Sequence, residues 1–211
     1  MHFIIGFVIG FYTLISGMYM DLKYDRQELT KLKNKHRDLY NKMYNSCIIN
    51  LLLISPIYFT FCKFFVSDTL LFSGLEVFYG VVFHNVYYYI VHQMMHNNKY
   101  LKKIHTFHHN FKDVLVPSSA NAVSYEEMVL VYLTPFMLFS LFTCPMLGSL
   151  IIIILLISTF NLIVHSKHMS KYRFLKIFVS PGDHIDHHTT LSGHYSAPIF
   201  NFDSLAPIHI R

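Results

Sequence analysis

Apolar runs of membrane-crossing length constrain this chain more than any other feature. A helix needs about 20 apolar residues to cross a hydrocarbon core of roughly 30 Å. Residues 3–20, 46–66 and 70–91 each reach that length. A longer run, 128–165, exceeds one crossing, and Pro145 and Gly148 inside it read as a hairpin turn between passes at 128–144 and 146–164. The expectation is an all-α integral membrane protein with four to five transmembrane helices, five on this count. Composition agrees: 53% of residues are hydrophobic and 14% charged, where soluble domains carry about a quarter charged. Residues 3–20 also invite reading as a cleaved leader. No basic residue precedes them and no small-residue cleavage site follows, so a retained anchor is expected.

Charge then gives orientation. Seven Lys/Arg fall in 21–45, four in 97–113 and four in 167–176, with Arg211 at the end and only Lys63 elsewhere. Five crossings put every basic segment on one side and Lys63 on the other, and the excess of positive charge makes that side cytosolic. The net charge of +5 is spread between apolar runs rather than gathered in an arm, so no nucleic-acid partner is expected. Cys47, Cys62 and Cys144 are isolated in or beside apolar segments and suggest neither disulfides nor a CxxC metal site.

The histidines carry the chemistry. Of 15 in the chain, ten lie between 92 and 188, in four clusters: His92 and His96; His105, His108 and His109; His165 and His168; His184, His187 and His188. Each cluster sits at or just beyond the cytosolic end of a predicted membrane helix. Positions i, i+3 and i+4 share a helix face, so each cluster aims its imidazoles at one region. Ten clustered imidazoles without a metal would repel one another on protonation, because histidine titrates near physiological pH. Ten also exceed one zinc site and suit two metals. HQMMH has Gln93 where a metalloprotease helix places its general base, which argues against that class. Spacing alone leaves iron and zinc open.

Residues 76–205 resemble the fatty acid hydroxylase/sterol desaturase superfamily, membrane di-iron oxygenases of the endoplasmic reticulum. HQMMH resembles its HxxxH box, HTFHH its first HxxHH box, IVHSKH its variable third box and HIDHH its last HxxHH box; Gly193-His194-Tyr195 and Phe202-Asp203 stand where the family has an Asn-Tyr-Gly-like stretch and an aromatic-Asp pair. Departures are Asn85 and Gln93 where the family often has Asp and Arg, Ser166-Lys167-His168 in place of Gly-Tyr, and a reduced ending after Asp203. The resemblance implies a catalytic domain over 70–211, following N-terminal membrane helices and a basic loop over 1–69. It implies two iron ions (zinc in a non-native preparation) held by His92, His96, His105, His108, His109, His165, His168, His184, His187 and His188. It also implies O2-dependent hydroxylation or desaturation of a fatty acyl or sterol lipid, at a cytosol-facing helical cap of an endoplasmic-reticulum membrane protein. No segment resembles a cytochrome b5 domain, so cytochrome b5 or a similar separate carrier would donate electrons.

Around these ligands, His194 is a candidate ligand or supporting group. Asn85 and Tyr88, on one helical stripe with His92, are candidates to orient ligands or to pack between helices. Asp186 either orients an imidazole or is solvated. Glu76 and Glu127 are costly carboxylates in or near the membrane, and Glu76 is expected at the luminal interface. His2, His36 and His209 lie outside the clusters. Two alternatives to a working oxygenase stand at this point: a catalytically inactive metal-binding homologue, and a metal transporter or sensor.

Overall fold

The computed structural model describes residues 1–172 and 174–205; His209 and Arg211 lie outside them. The helices, in chain order, are α1 His2–Lys23, α2 Arg26–Lys35, α3 Arg37–Phe65, α4 Gly74–Asn97, α5 Lys99–His109, α6 Tyr125–Thr143, α7 Leu147–Val164, α8 Pro181–Thr190 and the short α9 Phe202–Leu205. Among the described residues there is no sheet, only two isolated bridges, Ser67 with Met146 and Phe178 with Phe200. The protein is all-α and integral to a membrane: four helices, α1, α3, α6 and α7, are long and apolar enough to cross one.

The five-crossing expectation therefore meets four helices of sufficient apolarity. The exception is α4, the predicted 70–91 segment. It has 24 residues, about 36 Å of helix, and runs beside α7 in the same direction. Ser73 N–H donates to Ser149 Oγ at 2.9 Å near both N-termini, Gly80 abuts Ile153, and both helices end among histidines. Glu76, His84, Asn85 and Gln93 make α4 less apolar, and the last three are buried inside the bundle rather than turned outward.

The outer and inner faces of α1 show what surrounds the bundle. Gly6, Gly10, Thr13, Gly17 and Asp21, spaced three or four apart, face inward, while Phe3, Ile4, Phe7, Val8 and Phe11 are exposed. An apolar outside and a small-residue inside is the pattern of a helix packed in lipid. Gly10 is the tightest point, since a Cβ there would lie 1.9 Å from the Leu51 carbonyl oxygen of α3.

Both α3 and α6 contain a π-helical turn, Asn50–Ile54 and Met128–Leu133. Each is followed by a hydroxyl residue and a proline: Ser55-Pro56 and Thr134-Pro135. Proline lacks the N–H and crowds the carbonyl of the preceding turn. The hydroxyls compensate by reaching five residues back, Ser55 Oγ donating to Asn50 O and Thr134 Oγ1 to Val129 O, both at 2.8 Å.

The hairpin between α6 and α7 turns at Cys144, Pro145 and Met146, with Cys144 in the left-handed region at φ 45°. Gly148, expected in the turn, instead lies in the first turn of α7, where the Leu70 and Leu71 carbonyls would be 2.3 Å from a Cβ. Its requirement is close backbone approach, not a turn conformation. At the same end Glu76 Oε2 accepts from Met146 N–H at 3.2 Å, so Glu76 sits at the hairpin, far from the histidines. The basic segments gather at the other end: Lys31 Nζ donates to Asp113 O at 3.3 Å and Lys167 pairs with Glu28 at 2.8 Å.

Candidate metal centre

Four helices deliver the histidines. His92 and His96 lie one turn apart near the end of α4. The chain then bends sharply at Asn98, whose Oδ1 accepts from Tyr100 N–H at 2.9 Å and Leu101 N–H at 3.3 Å. This N-cap restarts the chain as α5 and turns His105, His108 and His109 back toward α4. His165 caps the C-terminus of α7. Helix α8 opens with Ser180, whose Oγ accepts from Gly182 N–H at 3.2 Å, and with Pro181 in its first turn, a favourable start for a helix. It presents His184, His187 and His188, all buried.

Nine imidazoles converge as two groups. His92, His96, His105, His109 and His187 form one; His108, His165, His184 and His188 form the other, and within each the ligand-capable atoms lie within 4.8 Å of one another. The two HxxHH boxes divide in opposite senses. In α5 the i, i+4 pair His105 and His109 serves the first group while His108 turns to the second. In α8 the i, i+4 pair His184 and His188 serves the second while His187 turns to the first. The groups adjoin, with the ring centroid of His188 4.7 Å from that of His109 and the centroid of His108 5.5 Å from that of His105.

Oxygen acceptors fix the rings. His92 Nδ1 is 2.8 Å from Tyr195 O, His165 Nδ1 is 2.8 Å from Asn161 O, His187 Nδ1 is 2.7 Å from Gly193 O, and His105 Nδ1 is 2.7 Å from Glu127 Oε1. A carbonyl or carboxylate oxygen only accepts, so each of these Nδ1 atoms carries the proton and each Nε2 presents a lone pair. This is the outer support seen around metal-bound histidine.

The Nε2 atoms face inward at close range: His92–His105 3.0 Å, His105–His109 2.8 Å, His96–His109 3.2 Å, His108–His165 3.2 Å and His165–His184 3.1 Å. In the His92–His105 pair both protons sit on Nδ1, and lone pairs do not bond lone pairs. Nitrogens that share one ion at about 2.0–2.1 Å and near right angles lie about 3 Å apart, which matches. The Nε2 atoms of His187 and His188 are buried with no hydrogen-bond partner, as ligand atoms would be. Burial, with a smaller contribution from neighbouring imidazoles, depresses His165 and His187 to about 4, and burial drives His184 and His188 well below the usual histidine range. These four rings are therefore neutral and ready to coordinate at physiological pH.

The remaining candidates fall elsewhere. His168 joins neither group; its ring stacks on Tyr24 at 5.5 Å and its backbone N–H donates to Asp25 Oδ1 at 2.8 Å. The i, i+3 argument fails there because α7 ends at Val164, so His165 and His168 do not share a helix face. His194 is exposed with φ 52°; its neighbours Gly193 and Tyr195 supply carbonyls, but its imidazole does not join the centre. Asn85 Oδ1 accepts from Ile199 N–H at 2.9 Å and Phe200 N–H at 3.1 Å, so it ties the C-terminal segment to α4 and orients no histidine directly. Tyr88 packs edge-on against His92 at 5.1 Å. Asp186 is exposed on the outer side of α8.

Sequence reasoning noted the carboxylate of Glu127 but not its part. Glu127 is 1% exposed, begins α6 with its N–H on Ser124 Oγ at 3.2 Å, and grips His105. Its proximity to a long apolar run was the available signal; its partner was not. Asp203 acts at one remove, its Oδ2 accepting from Ser196 N–H at 2.8 Å while Ser196 Oγ accepts from Asp203 N–H at 3.0 Å. That exchange pins the segment carrying the Tyr195 carbonyl.

A family model described as Fatty acid hydroxylase matches residues 77–207, more than half of the 211-residue chain. Comparisons with curated proteins and with solved structures returned no match.

Proposed function

Because the chain belongs to the fatty acid hydroxylase family, we propose that it is a membrane-bound oxidoreductase of lipid biosynthesis that hydroxylates or desaturates a fatty acyl or sterol lipid. In this reading it uses O2, two iron ions and electrons from cytochrome b5 or a similar carrier. The observation that carries the proposal is the convergence of nine imidazoles into two adjoining groups with nitrogen lone pairs inward. Five nitrogens in one group exceed the four of tetrahedral zinc, which favours an ion of higher coordination such as iron; zinc would occupy the site only in a non-native preparation.

His92, His96, His105, His109 and His187 would hold one ion, and His108, His165, His184 and His188 the other. Iron bound there supplies the electron and dioxygen chemistry that no side chain offers. The chain's own part is positional. The carbonyls of Asn161, Gly193 and Tyr195 and the carboxylate of Glu127 keep protons on Nδ1, so Nε2 stays available. Burial of the second group excludes bulk water from it. The histidines lie at helix ends rather than midway along them, which gives a transport path no support. A cytosol-facing centre in the endoplasmic reticulum membrane accords with the basic segments at the same end of the bundle.

The test is lipid analysis of cells expressing the wild type or His108→Ala. A new hydroxylated or unsaturated lipid, dependent on oxygen and present only with the wild type, is expected. Unchanged lipids in both would overturn the proposal.

A further inference from the structure

The chain leaves α7 at His165, and what holds it there comes from the N-terminal helices. Helix α7 closes at Val164, and the last turn of a helix has carbonyls without intrahelical partners, so it frays unless something outside secures it. The next three residues each meet the start of α2. Ser166 Oγ donates to Asp25 Oδ2 at 2.5 Å, His168 N–H donates to Asp25 Oδ1 at 2.8 Å, and Lys167 Nζ pairs with Glu28 Oε1 at 2.8 Å. Ser166 Oγ also accepts from Met169 N–H at 3.3 Å, which closes the turn on itself. The lysine of the Lys167–Glu28 pair is exposed, and such pairs contribute little. Asp25 differs: it is 4% exposed and Ser166 is fully buried. Asp25 stands at the N-cap of α2, where an aspartate ordinarily accepts from N–H groups of its own helix. Its carboxylate makes no such bond, and both oxygens turn to the 166–168 segment instead. A buried carboxylate costs free energy that its hydrogen bonds must offset, so the turn is where Asp25 has its effect.

We propose that Asp25 is a positioning residue for the metal centre. It ties the N-terminal helices to the turn leaving α7 and so keeps His165 Nε2 beside those of His108 and His184, 3.2 and 3.1 Å away. The segment before residue 77, where the family match begins, is then part of the centre's support as well as an anchor. His168 takes part through its backbone N–H, so its imidazole is dispensable. The effect on bound ions rests on the two-ion reading; the tie itself does not.

The test follows release of iron to a chelator from protein loaded with ferrous iron in detergent without oxygen, and backbone hydrogen exchange in the metal-free protein. In Asp25→Ala one of two ions should be released at least about tenfold more readily, the usual scale for losing support behind a ligand, and the other as in the wild type. Asp25→Asn, which keeps an acceptor for His168 N–H and a polar partner for Ser166 Oγ, should hold both ions nearly as the wild type does. Gly10→Ala, which crowds α1 against Leu51 of α3, controls for general destabilisation: its melting temperature should fall while both ions stay. Where Asp25→Ala does not fold, Ser166→Ala, which removes only the hydroxyl, carries the same expectation. Two ions held alike by wild type and Asp25→Ala overturn the proposal and leave the two-ion reading standing; equal loss in Asp25→Ala and Gly10→Ala also overturns it. If the wild type takes up no iron, the two-ion reading fails and the tie is judged by exchange: faster exchange at His168 N–H in Asp25→Ala upholds it, and unchanged exchange overturns it.

Discussion

Glu127 is the residue at which support for a ligand can be separated from packing. It fills a buried position and also holds His105 Nδ1 at 2.7 Å. Glu127→Ala is predicted to weaken metal retention about 10- to 100-fold, the usual cost of losing such support, while Glu127→Gln, which keeps an acceptor oxygen, loses less. Competition with a chelator measures both. If the two variants lose metal equally, the hydrogen bond is not what matters. The depressed histidines give a pH prediction. In the metal-free protein His165 and His187 protonate near about 4, whereas the same side chains in an unfolded chain protonate near 6.5. Between those values the unfolded state binds more protons, so stability rises with pH. Chelator-treated protein should melt at a lower temperature at about pH 5 than at about pH 7.5, and bound metal should reduce the difference. A flat response would mean the rings are not buried as described. The box histidines were legible in sequence because i, i+3 and i+4 spacing is local. The partners of their Nδ1 atoms were not, since Tyr195 and Glu127 reach them only through tertiary folding and Gly193 through the loop after α8, whose path spacing does not specify.

At the scale of elements, the apolar runs announced the helices, and the Ser-Pro and Thr-Pro pairs explain their irregular turns only once hydroxyl partners are seen five residues back. The π turn of α3 presses the Leu51 carbonyl against Gly10 of α1. Gly10→Ala is therefore predicted to destabilise the bundle by about 3 kcal/mol, the upper part of the overpacking range, because a backbone oxygen cannot swing aside. Gly74→Ala, which meets open space, is the matched control and should be close to neutral. Thermal melts in detergent compare them; equal melting temperatures would refute the close α1–α3 contact. Element ends were where sequence reasoning strayed. His168 was expected at the centre because helical spacing was carried past the end of α7. Gly148 was expected in a turn that falls just before it. Both placements turn on where a helix stops or starts, which side-chain spacing does not specify.

For the whole molecule, the separation of basic and hairpin ends makes orientation testable. Of the three cysteines, Cys47 and Cys62 are buried and Cys144, at the hairpin, is exposed. With the histidines on the cytosolic side, Cys144 should resist a membrane-impermeant thiol reagent in sealed microsomes and react after permeabilisation; labelling of intact microsomes would reverse the orientation. The central claim, that two ions occupy the two histidine groups, is tested most directly by metal analysis of protein purified under iron-replete conditions. About two irons per chain are predicted for the wild type, about one for His108→Ala, and an unchanged two for His168→Ala. No bound iron in the wild type, or a content indifferent to His108, would contradict the account.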